Sequence, residues 1–402
     1  MKYFLAWTKH HCFSECCRII RAGAPQSILY LMLVMHGSTN VFLLEACPFC
    51  GVVGQPLAEV RDHVDVTAVG ESILPPVDNL QRLLVLQVLR GKFSSPTGDV
   101  VARVRSPIHG TALLFGTQSR ADFPAELDWQ AMPADEGLLA YVALAPDTSL
   151  PAVERLRWFS SRLEHFDQVI ADDAFAEFGQ APFEAVLEAF DSFDPIKLQQ
   201  WVGEVGVRQR RRGFYGLALG CVAHKTTDIN LKEACLETLR TEIRKPADDF
   251  RAGFDGLLAG LLVGEGEKGL QEFVELGLFK KQTRATDQRH LLSALRFGHE
   301  YLGAWIAQDQ IAEATARLIH APAVSADIVV DLARMQYWKS IDEVALLWQS
   351  LGSDDVMIRR AVAGYLSACP LPAASEHLEA IRKIDSVKLQ QAIAAAALPR
   401  AS

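Results

Sequence analysis

The chain of 402 residues has little cysteine, few aromatic residues and no excess of positive charge. Eight cysteines are too few for a small scaffold held together by disulfides, and 50% hydrophobic residues exclude a wholly disordered chain. The formal charge of −9 argues against electrostatic binding to nucleic acid, and we predict no nucleic-acid partner. At roughly 100–200 residues per domain, this length predicts a globular protein of about two or three domains.

A long apolar run is also missing from the first 46 residues, although two short ones are present. Residues 28–35 and 41–44 are apolar and follow scattered lysines and arginines. Neither run reaches the ~20 residues that a membrane-spanning helix needs. Basic residues followed by apolar runs are typical of a secretory signal, so we predict that residues 1–46 are a signal-like leader. The alternatives are a later start codon and a buried helix of the mature protein.

The leader ends in the sequence Leu44-Glu45-Ala46-Cys47. This stretch resembles a bacterial lipobox, and the resemblance implies cleavage before Cys47, lipidation of its thiol and membrane anchoring through that residue. Two acyl chains are enough for stable anchoring, whereas one is marginal. Ordinary cleavage after Ala46 is the alternative. We therefore expect an exported protein in the periplasm or the cell envelope, with or without a lipid anchor.

Cys47 and Cys50 form a Cys-Pro-Phe-Cys motif with three readings. The two thiols can form a local disulfide, or Cys47 can be lipidated. They can also act in thiol–disulfide exchange, in which a helix N-terminus lowers the pKa of the first thiol. A zinc site would need a second pair of ligands at suitable spacing, so we predict no metal and no cofactor. The isolated Cys221, Cys235 and Cys369 are interpreted as small buried hydrophobic residues.

Residues 47–146 alternate between apolar and polar side chains with frequent glycine and proline, which predicts a small β-barrel or sandwich. The candidate strands are residues 63–70, 82–90, 100–105, 111–116 and 138–144. The phrase Leu-Gln-Val-Leu-Arg-Gly at residues 86–91 resembles the OB-type barrel of netrin-like and metalloproteinase-inhibitor domains. The resemblance implies an OB-like fold for this domain.

From residue 147 to residue 402 the pattern is that of amphipathic helices joined by short polar connections. One hydrophobic core grows poorly at this size, which favours a stacked solenoid over a single bundle. The fold class expected is therefore α+β multidomain, with a small all-β domain followed by an all-α solenoid. The clearest helical segments are residues 152–163, 183–190, 208–223, 231–243, 249–263, 270–278, 290–297, 311–319, 344–351 and 356–367.

Residues 354–366 carry an Asp, a Val followed by an Arg, and an Ala at the spacing of a HEAT-type repeat, which this segment resembles. Weaker copies lie at residues 167–174 and 227–234. The resemblance implies HEAT-like repeats of ~40–47 residues in residues 147–402. An Asp at the start of each helix would accept hydrogen bonds from free backbone N–H groups. The alternative is an irregular all-α domain. The whole arrangement also resembles a group of exported bacterial proteins of unknown function.

One basic run and one acidic patch interrupt the helical region. Arg208, Arg210, Arg211 and Arg212 could contact an anion or an acidic partner, or could pair inside the protein with preceding carboxylates such as Asp191, Asp194 and Glu204. The acidic patch is interpreted as a solvated helix face, and it contains Glu164, Asp172, Asp173 and Glu177.

These features predict a scaffold of the cell envelope that binds a protein partner, rather than an enzyme. Helical repeats offer an extended surface to such a partner, whose identity the sequence leaves open. Two alternatives remain. One is a thiol–disulfide oxidoreductase that uses Cys47 and Cys50, and the other is a hydrolase whose residues are dispersed along the chain. The hydrolase would require ionisable groups clustered in a cleft of the folded protein.

Overall fold

The computed structural model describes residues 54–95, 97–118, 127–204, 206–207, 209–246, 250–280 and 282–397. Within these ranges, a short helix α1 (Leu57–His63) is followed by a small β-barrel and then by a region made of helices. This is the expected order of a small all-β domain and an all-α region. The predicted leader lies outside the described residues.

The barrel has five strands and is closed in the order β1-β2-β3-β5-β4. Strands β3 and β5 are parallel, and β1 closes the barrel by pairing antiparallel with β4. The chain therefore forms a small closed barrel of five strands, as the sequence predicts. Its interior is filled by small and branched side chains such as Ala68, Leu83 and Leu114, which have no exposed surface. The strands are β1 (Val66–Ser72), β2 (Leu80–Arg90), β3 (Asp99–Val104), β4 (Thr111–Gln118) and β5 (Leu127–Pro133).

The prediction of a strand at residues 138–144 was wrong, because this segment belongs to helix α2 (Glu136–Leu144). Asp135 caps the helix by accepting a hydrogen bond from the backbone N–H of Leu138 at 2.8 Å. Leu138, Tyr141 and Val142 are then buried at helical spacing. A short apolar run does not reveal by periodicity alone whether it is a strand or a helix. The fifth strand is β5, which precedes α2 in the chain.

Each of the ten clearest predicted segments overlaps a helix, with shifts at the ends, whereas the helices at residues 168–180, 195–203, 325–334, 372–384 and 386–397 are not among those segments. The helices after the barrel are α2 (Glu136–Leu144), α3 (Ala152–Ser160), α4 (Gln168–Gln180), α5 (Phe183–Ala189), α6 (Pro195–Gly203), α7 (Gln209–Lys225), α8 (Ile229–Arg244), α9 (Phe254–Glu265), α10 (Glu267–Glu275), α11 (Ala285–Tyr301), α12 (Gln308–Ala316), α13 (Ser325–Arg334), α14 (Ile341–Ser350), α15 (Val356–Ala368), α16 (Pro372–Ile384) and α17 (Ser386–Ala397).

These helices form a solenoid-like stack in which the main contacts are local along the chain. Helix α7 packs against α9, and α9 packs against α11. The same relation joins α13, α15 and α17, while helices such as α14 and α16 pack beside each other in a second series. Stacking of this kind buries a continuous core by adding each unit to its neighbour. The helical region is therefore a solenoid-like stack, as predicted, and not a single bundle around one centre.

Aspartates begin the helices that carry the three repeat-like segments. Asp355 accepts hydrogen bonds from the backbone N–H groups of Met357 and Ile358 at 2.7 and 3.2 Å. Asp167 and Asp228 make the same pair of contacts at the starts of α4 and α8. These N-caps confirm the expected role of the aspartates.

Helices α7 and α9 approach each other until their backbones touch. A Cβ atom on Gly260 would lie 2.1 Å from the carbonyl oxygen of Gly216, and one on Gly220 would lie 2.0 Å from the carbonyl oxygen of Gly260. No side chain fits at such distances, so glycine is required on both helices. This contact accounts for Gly253, Gly256 and Gly260 in the glycine-rich sequence after residue 252.

Helix α1 attaches the start of the barrel to the helical region. Arg61 is 6% exposed, and its guanidinium donates hydrogen bonds to the carbonyl oxygens of Val142 and Ala145 at 2.8 and 2.7 Å. These carbonyls lie at the end of α2, where a helix leaves its last C=O groups without partners. Arg61 therefore satisfies the end of α2 and ties α1 to it.

Candidate functional site

The two residues of the Cys-Pro-Phe-Cys motif, Cys47 and Cys50, lie outside the described residues. Their disulfide or lipidation stays a prediction. Cys221, Cys235 and Cys369 are free thiols in the interior, as expected. Burial raises the pKa of the Cys221 thiol to about 12 and that of Cys235 to about 11. Both thiols are therefore protonated and unreactive at neutral pH.

Of the four arginines in the basic run, the structure describes the side chains of Arg211 and Arg212. Arg211 is 1% exposed and lies in the interior between α7 and the start of α4. It donates hydrogen bonds to the carbonyl oxygen of Leu163 at 2.6 Å, to Glu164 Oε1 at 3.1 Å and to Asp172 Oδ1 at 2.5 Å. Tyr215 donates its hydroxyl proton to the same Glu164 oxygen.

Arg212 also forms hydrogen bonds within the protein, with residues other than those that Arg211 contacts. It donates to the carbonyl oxygen of Val202 at 2.9 Å and to Glu242 Oε2 at 2.6 Å. These carboxylates differ from those that the sequence suggested, since Asp191 pairs with Arg157 at 2.7 Å and Asp194 caps α6. A ligand role for Arg208 and Arg210 stays a prediction.

The interpretation of the acidic patch as a solvated face was wrong for Asp173 and Glu177, which are 7% and 1% exposed. Helix α4 is surrounded by other elements, so nearly every side chain on it is buried. Asp173 accepts hydrogen bonds from the backbone N–H of Leu57 and from the hydroxyl of Tyr141, both at 2.7 Å. Burial nevertheless raises the pKa of Asp173 to about 6. The clue in the sequence is the run of alanines and phenylalanines on all sides of the helix.

A groove of about 390 Å³ runs across α13, α15 and α17 and was not anticipated from the sequence. Its floor is open because small residues line it where larger side chains would fill the space. The spacing of Ala361, Gly364 and Ala368, which places all three on one face of α15, is the signal that could have revealed it. The small lining residues are Ala326, Ala333, Ala361, Gly364, Ala368 and Ala396.

The rim of the groove carries charge and exposed apolar surface. Asp327 and Arg334 lie on α13, and Arg334 is 3.6 Å from the carboxylate of Asp331. Met357 lies on α15 and is 50% exposed. The hydroxyl of Tyr365 donates a hydrogen bond to the carbonyl oxygen of Tyr337 at 2.7 Å, so its proton is not available to a ligand in the groove. The groove therefore suits an apolar segment with polar flanks better than it suits acid–base chemistry.

Among the described residues, no cluster of histidine, cysteine and carboxylate side chains could hold a metal ion. None of the helices in the same ranges is long and apolar enough to cross a membrane. No protein-family model, curated protein or solved structure matches the chain significantly.

Proposed function

We propose that the protein is a scaffold that binds a protein partner in the groove across α13, α15 and α17. The observation that carries the proposal is the apolar floor of this groove, which is shared by three neighbouring helices of the stack. Grooves with apolar floors and polar rims bind amphipathic helices of partner proteins. The small floor residues let such a helix approach closely.

The proposal includes a finer assignment of the two parts of the chain. The helical region is assigned to HEAT-type repeats, supported by the aspartate caps at Asp167, Asp228 and Asp355. The barrel is assigned to the netrin-like and inhibitor-like group, supported by its strand order. Such a chain would act by presenting surfaces to other proteins rather than by catalysis.

The proposal also places the protein outside the cytoplasm, at the cell envelope. The support is the sequence of residues 1–46 and the lipobox-like stretch that ends at Cys47. Intact-mass and N-terminal analysis of the native protein from membrane and soluble fractions tests this directly. A mature chain that begins at Cys47 with added acyl mass is expected for a lipid anchor. A native chain that retains residues 1–46 would contradict export.

The groove is tested with a photo-cross-linking amino acid in place of Met357, in the full chain and in the cells that produce it. We expect one dominant adduct, mapped by mass spectrometry to one segment of one partner. Val330 lines the groove, and Val330→Arg should abolish the adduct. The matched control is Leu346→Arg on α14, where the side chain is 66% exposed and outside the groove. An adduct that survives Val330→Arg would contradict the proposal, as would the absence of an adduct.

The two enzyme alternatives depend on different residues. The oxidoreductase depends on Cys47 and Cys50, and its test is the loss of disulfide reduction when both are replaced by serine. The hydrolase requires ionisable groups clustered in a cleft. One cleft of this kind is lined by Glu59, His63 and Glu177. We prefer the scaffold because a partner can bind in the groove without any catalytic residue.

A further inference from the structure

The outer surface of the β-barrel carries a dense group of exposed apolar side chains. Among the described residues, seven of the 22 large apolar side chains that are exposed lie within residues 73–101. Single exposed residues of this kind are ordinary on a monomer, whereas a contiguous apolar patch marks a surface that another molecule covers. The strand register shows that these seven side chains are contiguous.

Four of them share the outer face of β2 and β3, and all four are exposed. Side chains two residues apart on a strand point to the same side of the sheet, so Leu80, Leu84 and Leu86 lie together on β2. The antiparallel register sets Val101 of β3 directly opposite Arg82, which lies between Leu80 and Leu84. Diagonal neighbours on paired strands lie about 7–8 Å apart, so Val101 continues the apolar surface of the two leucines.

The segment between β1 and β2 extends this surface beyond Leu80. Ile73, Leu74 and Val77 are exposed, and Val77 is 71% exposed. Val77 and Leu80 exchange two backbone hydrogen bonds at 2.8 and 2.9 Å. The two residues between them adopt positive φ angles, which closes a tight turn. We call these three residues, together with the four apolar residues of β2 and β3, the barrel patch.

The barrel is closed in the order β1-β2-β3-β5-β4, so the described sheet has no edge strand to which another strand could be added. A molecule that covers the barrel patch must therefore pack its side chains onto the face of β2 and β3. Packing between the faces of two sheets buries such a surface, with the sheets about 10 Å apart.

Carboxylates flank the barrel patch at the Leu84 end. The register places Glu71 of β1 and Asp99 of β3 on either side of Leu84. Asp99 pairs with the guanidinium of Arg82 at 3.2 Å, whereas Glu71 has no basic partner among the described residues. Asp128 on the neighbouring β5 is exposed, and no described basic side chain pairs with it. This end of the patch therefore carries net negative charge.

Arginines flank the barrel patch at the opposite end. Arg103 of β3 lies directly opposite Leu80, and Arg105 follows two residues later. Both are exposed, and neither pairs with a described carboxylate. Asp78 in the turn is acidic, so two positive charges face one negative charge here. Because Leu80 and Leu84 are four residues apart on one strand, roughly 13 Å separates the two ends.

The charge pattern decides which molecule fits the barrel patch. Both signs are present in similar numbers, so the patch lacks the net positive charge that an anionic membrane or a nucleic acid requires. Positive charge at one end and negative charge at the other make the patch complementary to a copy of itself turned end for end. A two-fold interface requires such self-complementarity, because it uses the same surface twice.

We propose that the barrel patch is the interface through which two copies of this chain form a two-fold dimer. The leucines and valines pack at its centre, and the arginine end of each copy faces the carboxylate end of the other. A standard interface buries roughly 800 Å² per partner, and the seven side chains with the aliphatic stems of the arginines supply area of this order. The patch shares no residue with the groove across α13, α15 and α17, so the dimer is independent of the proposed partner binding.

Sedimentation equilibrium of the full chain tests the proposal at concentrations from about 1 to about 100 μM. We expect a reversible equilibrium between monomer and dimer, and slower amide exchange in β2 and β3 at the upper concentration than at the lower one. A chain that remains monomeric would overturn the proposal, and binding of that monomer to phospholipid vesicles would assign the patch to a membrane instead. Neither result bears on the Met357 cross-link.

Two substitutions test the apolar surface and the charge pattern together. Leu86→Arg adds a positive charge at the carboxylate end, which faces the arginines of the other copy, and Val77→Glu adds a negative charge at the arginine end. Each should weaken the dimer at least about tenfold, because every substitution enters a two-fold interface twice. Arg103→Glu should weaken it by a similar factor, since it brings like charges together.

The matched controls are Leu346→Arg and Leu346→Glu on α14, where the side chain is exposed and outside the barrel patch. Both should leave the dissociation constant of the dimer unchanged. Thermal unfolding identifies any variant that fails to fold, and the three substituted side chains are exposed in the monomer. Association that persists in Leu86→Arg and Val77→Glu, or that the controls weaken equally, would overturn the proposal.

Discussion

The two ends of the helical stack differ in how many charged side chains they bury. The end next to the barrel, from α2 to α7, buries charges such as Arg211 and Glu177 among apolar side chains. The far end, from α13 to α17, buries one charged side chain, Asp331, and has a groove whose floor is lined by alanine and glycine. Buried charges require fixed partners, so they hold one arrangement of helices, whereas small apolar residues leave room for another molecule. The fixed partners at the first end stabilise one arrangement of the helices beside the barrel. The groove at the second end leaves space for a partner.

The contact between α7 and α9 lies between these ends, and breaking it should have the largest effect. Gly260→Ala would place a Cβ atom 2.1 Å from the backbone oxygen of Gly216, so the helices must separate along their length. We expect a loss of at least about 4 kcal/mol in the free energy of unfolding, measured by urea denaturation. The matched control is Gly298→Ala on α11, where the nearest atoms are side-chain carbons at 3.5 Å. Equal losses for the two variants would contradict the close approach.

Removal of Arg211 should have the next largest effect, because it removes the guanidinium that donates to Glu164, Asp172 and the carbonyl oxygen of Leu163. Arg211→Met should cost toward the lower end of the roughly 3–5 kcal/mol expected when one partner of a buried ion pair is removed, since both carboxylates keep some solvent contact. Arg157→Met is the control, because Arg157 pairs with Asp191 at the surface. Its cost in the same assay should be much smaller, because exposed ion pairs contribute little to stability.

Buried carboxyls should also give the first end its own pH dependence. The pKa of Asp173 is raised from 3.8 to about 6, so the folded protein holds a proton that the unfolded chain has released. This contribution to stability is complete below pH 4 and is lost as the pH rises through about 6. In Asp173→Asn the free energy of unfolding should fall less steeply between pH 4.5 and 7.

Asp191→Asn is the control for that measurement. Arg157 holds the pKa of Asp191 below its ordinary value, so the contribution of this residue is lost only in more acidic solution. The slope between pH 4.5 and 7 should therefore match that of the wild type. An unchanged slope in Asp173→Asn would contradict the burial of a protonated carboxyl.

The smallest effect on stability is expected at the groove. Val330 faces this open space, so Val330→Arg should change the free energy of unfolding by less than about 1 kcal/mol. The same substitution at the neighbouring Val329, which has no exposed surface, buries a charge and should prevent folding. Similar thermal unfolding of the two variants would show that the groove is closed in solution.

The sequence predicts the elements of this chain better than their contacts. Residues 356–367 were assigned to a helix by their apolar spacing, and Asp355 caps that helix because a short carboxylate before an apolar run does so locally. The strand predicted at residues 138–144 failed because a short apolar run carries no period of its own. Local rules of this kind operate within a few residues.

Contacts between distant elements escaped prediction for the same reason. The glycines of α7 and α9 are required only because the two helices meet. The sequence around Gly220 gives no sign that Gly260 packs against it. Asp173 and Glu177 resemble a surface pair in the sequence, but they are buried in the fold, where α1 and α2 contact Asp173 and α3 contacts Glu177. The groove likewise exists only when α13, α15 and α17 lie side by side.

The measurement that tests the proposed scaffold most directly is amide hydrogen exchange of the full chain, with and without the partner segment that cross-links at Met357. The partner should slow exchange in α13, α15 and α17 and leave the barrel unchanged. Leu84, Leu86 and Val101 on β2 and β3 form the competing surface, since they are exposed and apolar. Slower exchange in those strands, with α13 to α17 unaffected, would contradict the account.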